Sequence, residues 1–150
     1  MHTQTLNAIA VTGYQTTTTN ARERDPATAA IGQLWQKFST DLIPKLAEGS
    51  GIYGLYTHYE SDADGQFDVI ACCDDRSLIE QSDLITTSIQ AGHYLTFSAS
   101  GEMPQAVIQL WEEIWRYFAL EDCPHTRAYT TDFEHYTGQN SVNISIAIHP

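Results

Sequence analysis

The chain has 150 residues and a formal net charge of −12, and its length is typical of one domain, so we expect a single domain over residues 1–150. The negative surface would repel nucleic acid, and no basic run opposes that repulsion, so direct nucleic-acid binding is not expected. No apolar stretch approaches the roughly 20 residues that span a bilayer, and no secretion signal is visible, so we expect a cytoplasmic protein with no membrane partner.

The first half of the chain predicts one helix among β-rich segments. Five apolar residues recur at steps of three and four and predict an amphipathic helix over residues 27–46: Ile31, Leu34, Trp35, Phe38 and Leu42. Segments that alternate or are rich in β-forming residues predict strands over 5–15, 52–60 and 67–73. The stretch Asp62-Ala-Asp64-Gly65 predicts the turn between the last two strands. The predicted order is β-α-β-β.

The second half predicts the same order. A strand is predicted over residues 84–98, and two further strands over 127–136 and 142–148, joined by a turn at residues 137–140. A helix is predicted over residues 104–120, behind Pro104, from a second set of apolar residues at helical spacing: Val107, Ile108, Trp111, Ile114, Trp115 and Phe118.

The two halves also share local sequence. Gln33-Leu34-Trp35 in the first helix matches Gln109-Leu110-Trp111 in the second, and a tyrosine-rich strand follows each helix. We therefore predict half-repeats of about 1–78 and 79–150, related by a pseudo-twofold axis. The expected fold class is α+β, with duplicated β-α-β-β units, a curved antiparallel sheet and two main helices. A groove along the pseudo-axis would be the natural concave site.

Cysteine and histidine form no metal-binding pattern. The neighbours Cys72 and Cys73 and the distant Cys123 lack the Cys-x-x-Cys spacing, so we expect reduced and mostly buried thiols. The six histidines are scattered, and no pair is spaced to place two imidazoles on one helix face. We predict no metal and no cofactor.

Glu134 is the candidate centre of the site because it lies in an aromatic stretch, residues 129–136. A carboxylate buried without a partner tends to stay protonated, and a bound cation would restore its ionisation. Neighbouring rings would add about 0.5 to 2 kcal/mol of cation–π attraction each. Strand alternation places Tyr136 on the face of Glu134 and Phe133 on the opposite face, in the core. The alternative is a glutamate on an edge strand, pointing into water.

Five aromatic motifs follow one another along nearly the full chain: Leu34-Trp35-x-x-Phe38, Ile52-Tyr-Gly-Leu-Tyr-x-x-Tyr59, Ile89-x-Ala-Gly92-x-Tyr94-x-x-Phe97, Trp111-x-x-Ile114-Trp115-x-x-Phe118 and Asp132-Phe-Glu134-x-Tyr136. In this order the chain resembles the GyrI-like small-molecule-binding domains, which also occur as effector-binding domains of AraC-type multidrug-responsive transcription regulators. The resemblance implies a duplicated β-α-β-β fold whose central pocket accepts large, flat, often cationic compounds around an acidic residue. That residue maps onto Glu134. The regulators carry a DNA-reading domain ahead of this one, and we expect none in this chain.

Six residues are selected as candidate ligand contacts: Glu134, Tyr136, Tyr56, Tyr53, Trp115 and Trp111. Tryptophans on the apolar stripe of a helix are usually core residues, so a core role is the alternative for these and for Trp35. Asp132 is expected to do no more than hydrogen-bond a turn. The main prediction is a protein that binds amphipathic cationic small molecules, for sequestration or sensing.

Two other functions stay open. Some stand-alone relatives resemble hydrolases that open strained cyclopropane rings in DNA-alkylating natural products. In that role Glu134 would be the general base, and Tyr136 or Tyr56 the acid. A protein-docking module, such as a gyrase-binding protein, is the other alternative. The sequence contains no Gly-x-Ser-x-Gly elbow, no phosphate loop and no evident nucleophile with its base, which favours binding over catalysis.

Overall fold

The computed structural model describes residues 1–78 and 84–150, and in this part of the chain it contains eight strands and three α-helices. Two short 3-10 turns accompany them, at Ile43–Lys45 and Arg76–Leu78. In chain order the elements are β1 His2–Leu6, β2 Ile9–Thr18, α1 Asn20–Glu23, α2 Ile31–Asp41, β3 Ile52–Thr57, β4 Phe67–Cys73, β5 Ile85–Ile89, β6 Gly92–Ser100, α3 Gln105–Phe118, β7 Arg127–Gly138 and β8 Ser141–Ile148.

All eight strands form one antiparallel sheet that curls into a half-barrel, in the order β1-β6-β8-β7-β3-β4-β2-β5. The order is symmetric between the two halves of the chain. If it is read backwards and each strand is replaced by its equivalent in the other half (β1 with β5, β2 with β6, β3 with β7, β4 with β8), the same order results. A pseudo-twofold axis therefore passes between the central strands β7 and β3. The predicted fold class, a duplicated β-α-β-β arrangement with a curved antiparallel sheet, is confirmed. The boundary between residues 78 and 79 adjoins the undescribed segment and stays a prediction.

The two longest predicted strands are each divided in the structure. The segment predicted as one strand over 5–15 breaks at residues 7–8, and the segment over 84–98 breaks at residues 90–91. The cause is an exchange between the halves: β1 pairs with β6, while β5 pairs with β2. Each segment changes its partner strand at the break, so it cannot stay in a single register.

Both main helices are shorter than predicted. Instead of residues 27–46, α2 begins at Ile31, where the Glu23 carboxylate accepts hydrogen bonds from backbone N–H groups at 2.9 to 3.2 Å. These bonds satisfy donors at the helix start that have no partner within the helix. In the second half, α3 lies within the predicted residues 104–120, with Pro104 at its N-cap.

The helices pack over the flanks of the sheet and leave its centre uncovered. On the face away from the helices, strand residues such as Leu55 and Phe133 pack against one another inside the curled sheet. On the helical face, α3 packs over β6 and β8 through Leu110, and α2 packs over β4 through Phe38. The gap between the two helices therefore lies above β3 and β7.

Candidate functional site

A cavity of about 770 Å³ occupies the gap between α2 and α3. Its size falls within the range of about 300 to 1,000 Å³ that is typical of small-molecule sites. Trp35 of α2 forms one wall, and Trp111 and Trp115 of α3 form the other. Tyr56 and Glu134 lie on the central strands beneath them.

Glu134 lies at the centre of the cavity floor, with 3% of its surface exposed. It is opposite Gly54 of β3 in the central strand pair. Its Oε2 accepts hydrogen bonds from Trp111 Nε1 at 2.7 Å and from the Tyr56 hydroxyl at 2.8 Å. Its Oε1 accepts one from the Tyr136 hydroxyl at 2.9 Å. Three donors thus surround one carboxyl group.

Two opposing effects act on the pKa of Glu134. Burial raises it above the ordinary value, because a low-dielectric environment disfavours the charge, whereas the three hydrogen bonds lower it. The pKa values of Tyr56 and Tyr136 are themselves raised, first by burial and then by the Glu134 charge, so both hydroxyls keep their protons. An indole N–H and two phenols match an ionised carboxylate. Among the described residues, no cationic side chain forms an ion pair with Glu134.

The aromatic rings around Glu134 are related in pairs by the pseudo-twofold axis. Tyr56 lies two residues after Gly54 on β3, and Tyr136 lies two residues after Glu134 on β7. Tyr56 contacts Trp111 edge to face, with ring centroids 5.1 Å apart. Tyr136 contacts Trp35, the repeat equivalent of Trp111, in the same way at 5.3 Å. A nearly symmetric aromatic cage therefore surrounds a single carboxylate.

Only one carboxylate fits on the axis, because its counterpart position holds glycine. A Cβ atom at Gly54 would lie 2.6 Å from Glu134 Oε1 and 2.9 Å from Trp35 Cζ2, closer than such atoms normally approach. The absence of a side chain at Gly54 therefore makes room for the Glu134 carboxylate and for the Trp35 ring.

A buried ion pair lies at another point of the cavity wall. Arg127 Nη2 donates to Asp132 Oδ2 at 2.7 Å. The Tyr59 hydroxyl donates to the same oxygen at 2.5 Å, and the backbone N–H of Ala147 donates to Asp132 Oδ1 at 2.8 Å. Arg127 and Tyr59 border the cavity. Asp132 is therefore a buried partner of Arg127, and the expectation that it only hydrogen-bonds a turn is wrong.

Five of the six residues selected from the sequence border the cavity, and one does not. The five are Glu134, Tyr136, Tyr56, Trp111 and Trp115. Tyr53 lies on the opposite face of β3, where its ring stacks on His135 with centroids 4.5 Å apart and packs in the core beside Phe133. Strand alternation explains this position, because Tyr53 and Tyr56 are three residues apart and so point to opposite faces.

The cavity residues that were not selected from the sequence include Trp35, Tyr59 and Arg127. The repeat itself could have identified Trp35, since it aligns with Trp111. Tyr59 ends one of the five aromatic motifs but was not selected as a ligand contact. No local pattern marks Arg127, because the interaction that brings it to Tyr59 runs through Asp132 on a distorted part of β7.

Other groups offer less chemistry. All three cysteines are free, with Cys72 and Cys73 buried, and burial raises the pKa of both of these thiols. Over residues 1–78 and 84–150, no three His, Cys, Asp or Glu side chains lie together as metal ligands would. Over the same residues, no helix has the length and apolar character needed to cross a membrane.

Comparison with known proteins identifies the family. A family model described as Cass2, integron-associated effector binding protein, matches residues 4–148. The chain belongs to this family. The resemblance to GyrI-like domains that the sequence motifs suggested is thereby confirmed. A solved Cass2 relative, an integron cassette protein from the mobile metagenome of Vibrio cholerae, is 54% identical, with a TM-score of 0.93 over 99% of this chain and 95% of that one.

Two more distant proteins share features with this Cass2 chain. SAV2435, solved with tetraphenylphosphonium bound, is 23% identical and superposes with a TM-score of 0.76 over 99% of this chain and 93% of its own, which shows a common fold. YobU of Bacillus subtilis, provisionally described as a transcriptional regulator protein, is 28% identical over 129 residues, or 77% of this chain and 75% of YobU.

Proposed function

We propose that the cavity binds bulky aromatic cations and that Glu134 supplies the negative charge that selects them. The observation that carries this proposal is a buried carboxylate, held by three neutral donors, with no cationic partner among the described residues. An isolated buried charge is costly, and a ligand cation in the cavity would compensate it in a low-dielectric setting.

The walls suit the same class of ligand. Trp35, Trp111 and Trp115 present aromatic surfaces, which attract cations through their π-systems and accept flat ring systems without requiring fixed hydrogen bonds. Trp115 is 42% exposed, so part of this surface already meets solvent. The tetraphenylphosphonium bound to SAV2435, which has the same fold, is a ligand of this kind and supports the proposal.

Tetraphenylphosphonium and tetraphenylborate provide a direct test, because they have nearly the same shape and opposite charges. We expect tetraphenylphosphonium to quench tryptophan fluorescence saturably and tetraphenylborate to bind at least about tenfold more weakly, a difference of about 1.4 kcal/mol or more. Equal affinities for the two ions would mean that the cavity recognises shape and apolar surface only.

Two variants assign the charge selectivity to Glu134. Glu134→Gln keeps the size of the side chain and removes its charge, so it should lose most of the preference for the cation. Glu113→Gln removes one charge from the exposed face of α3 and should keep the preference. If Glu134→Gln bound the cation as tightly as the unmodified protein, the proposed role of the carboxylate would be wrong.

The same preparation separates the two alternative functions. Turnover of an electrophilic cyclopropane compound, lost in Glu134→Gln, would support the hydrolase. A lack of response to every small molecule would leave the docking module.

A further inference from the structure

The α3 side of the cavity mouth carries three side chains that are exposed to solvent and also border the cavity: Ile108, Glu112 and Trp115. Their spacing of four and then three residues places them along one edge of the helix, which we call the α3 rim. Ile108 is 53% exposed and Trp115 is 42% exposed. The Trp115 ring lies beside that of Trp111, with centroids 6.1 Å apart. Large apolar side chains that stay exposed together beside a cavity are typical of binding surfaces.

The equivalent positions of α2 carry no such surface. The match of Gln33-Leu34-Trp35 with Gln109-Leu110-Trp111 aligns the α3 rim with three small or neutral residues of α2: Gly32, Gln36 and Ser39. A Cβ atom at Gly32 would meet nothing within 4 Å, so the α2 wall is open at this level. The cavity is therefore nearly symmetric at its floor and one-sided at its mouth, where α3 supplies an apolar, an acidic and an aromatic group.

The charges around the cavity leave two carboxylates without a counterion. The charged side chains that border it in the described part of the chain are Glu23, Arg24, Glu112, Arg127 and Glu134. Arg127 is balanced by Asp132 at 2.7 Å, and the sequence neighbours Glu23 and Arg24 have opposite charges. The two remaining carboxylates, one on the floor and one on the α3 rim, form no ion pair with any described residue. The cavity thus has one unbalanced negative charge at its floor and another at its mouth.

We propose that the ligands this cavity binds best are dications, with one positive group above Glu134 and a second one on the α3 rim. At the rim, Glu112 supplies the opposite charge, Trp115 supplies a ring face for a cation–π contact, and Ile108 supplies an apolar contact for alkyl groups on an ammonium. This inference rests on the proposed function, because it adds a second contact within the same cavity.

The distance between the two carboxylates defines the ligand class further. Trp111, whose Nε1 donates to Glu134 at 2.7 Å, directly precedes Glu112. Consecutive Cα atoms are about 3.8 Å apart and the side chains extend in different directions, so the carboxylates are on the order of 10 Å apart. A suitable ligand is a flat aromatic cation that carries an alkylammonium group on a chain of a few carbons.

The expected gain from the second charge is moderate, because the α3 rim is exposed. An exposed ion pair changes an affinity by up to about fivefold, and an exposed cation–π contact by about two- to fivefold. Together they predict binding about tenfold tighter for a dication than for a monocation with the same ring system.

Ethidium and propidium test this prediction, because they share one phenanthridinium ring system. Ethidium has an ethyl group on the ring nitrogen, and propidium has in its place a propyl chain that ends in a quaternary ammonium. The readout is the ratio of the ethidium to the propidium dissociation constants, which we expect to be about ten by titration calorimetry. An ionic strength of about 0.15 M limits the Debye length to about 8 Å, so distant surface charges contribute little. A ratio of one or less would overturn the inference.

Two neighbouring variants assign the preference to the α3 rim. Glu112→Gln should lower the ratio about three- to fivefold, because it removes the charge that meets the second ammonium. Glu113→Gln removes the same charge from the next residue, which is also exposed but does not border this cavity, so it should leave the ratio unchanged. An equal fall in both variants, or no fall in Glu112→Gln, would mean that Glu112 does not hold the second charge.

A measurement on the unmodified protein locates the second ammonium directly. The N-methyl and N-ethyl protons of bound propidium should give nuclear Overhauser effects to the Trp115 ring. Contacts of these protons with Gly32 and Trp35 instead would place the ammonium on the α2 wall and contradict the assignment. If ethidium, propidium and tetraphenylphosphonium all fail to bind, the proposed function fails and this inference with it. If ethidium binds and propidium gains nothing, only the α3 rim assignment fails.

Discussion

Burial and hydrogen bonding act in opposite directions on the Glu134 carboxylate at the floor of the cavity. Its pKa is raised by burial, and hydrogen bonds from Trp111, Tyr56 and Tyr136 offset part of that rise. A carboxyl whose pKa is higher in the folded protein favours folding in its protonated form. Its contribution to stability is complete below the unfolded pKa and is lost as pH rises through the folded pKa. Above the folded pKa the charge therefore opposes folding, and a bound cation relieves that cost.

The raised pKa of Glu134 predicts that cation binding depends on pH. As pH falls through the folded pKa, which burial raises above the ordinary 4.5 of a glutamate, Glu134 takes up a proton and its attraction for a cation is lost. Below the folded pKa, affinity for tetraphenylphosphonium should fall by up to about tenfold per pH unit. Binding should also release protons in this range, because the cation lowers the pKa of Glu134. Calorimetry in buffers of different ionisation enthalpy measures both effects.

The control for this pH effect is Glu134→Gln, whose weaker binding should be nearly independent of pH over the same range. A pH-independent affinity in the unmodified protein would show that Glu134 stays in one protonation state throughout.

Gly54 gives a second prediction at the scale of single residues. Gly54→Ala places a methyl group 2.6 Å from Glu134 Oε1, so the carboxylate or the Trp35 ring must move. We expect cation affinity to fall at least about tenfold. The free energy of unfolding should fall by about 1 to 3 kcal/mol, as for other overpacked sites. Fluorescence titration and urea denaturation measure the two effects.

Gly32→Ala is the matched control for the Gly54 variant. Gly32 also borders the cavity, on α2, but a Cβ atom there meets nothing within 4 Å. Alanine in a helix is favoured over glycine by about 1 kcal/mol, so this variant should be as stable as the unmodified protein or more so, with little change in affinity. Unchanged binding in Gly54→Ala would mean that the exact position of the carboxylate is unimportant.

At the scale of elements, local patterns predicted which segments form helices and strands better than where they begin. Helix α2 begins at Ile31 because the Glu23 carboxylate caps it from seven and eight positions earlier, and Glu23 also accepts from the Thr18 hydroxyl. The usual capping patterns lie within three residues of a helix start, so this arrangement had no sequence signal. The short helix α1, which carries Glu23, was not predicted either, because four residues are too few to show a hydrophobic period.

The divided strands have a comparable explanation. Both segments are rich in β-forming residues on each side of the break. Hydrophobic alternation and strand propensity therefore predicted one strand where the structure has two. The break depends on which strand lies alongside, and β1 and β5 lie beside strands of the opposite half. That pairing is a property of the duplicated fold and not of either segment.

At the scale of the whole molecule, the duplication explains most of what could be predicted. Matching helices and tyrosine-rich strands indicated two equivalent halves, and the symmetric strand order bears this out. The same symmetry brings Trp35 and Trp111 to opposite walls of the cavity. The parts that break the symmetry, such as Gly54 opposite Glu134 and the irregular strand at Arg127, depend on register and could not be inferred from local sequence.

The net charge of −12 gives a prediction for the molecule as a whole. The negative field attracts cations from a distance, and dissolved salt shortens the range of this attraction. The Debye length is about 30 Å at an ionic strength of 0.01 M and about 3 Å at 1 M. Raising the ionic strength across this range should slow the association of tetraphenylphosphonium several-fold. Dissociation should change little, because the contact with Glu134 is buried and is screened far less.

Stopped-flow tryptophan fluorescence measures both rates, with Glu113→Gln as a variant that slows association slightly and leaves dissociation unchanged. An association rate independent of salt, with dissociation accelerated by it, would place the recognising charge at the exposed mouth of the cavity and not on its floor.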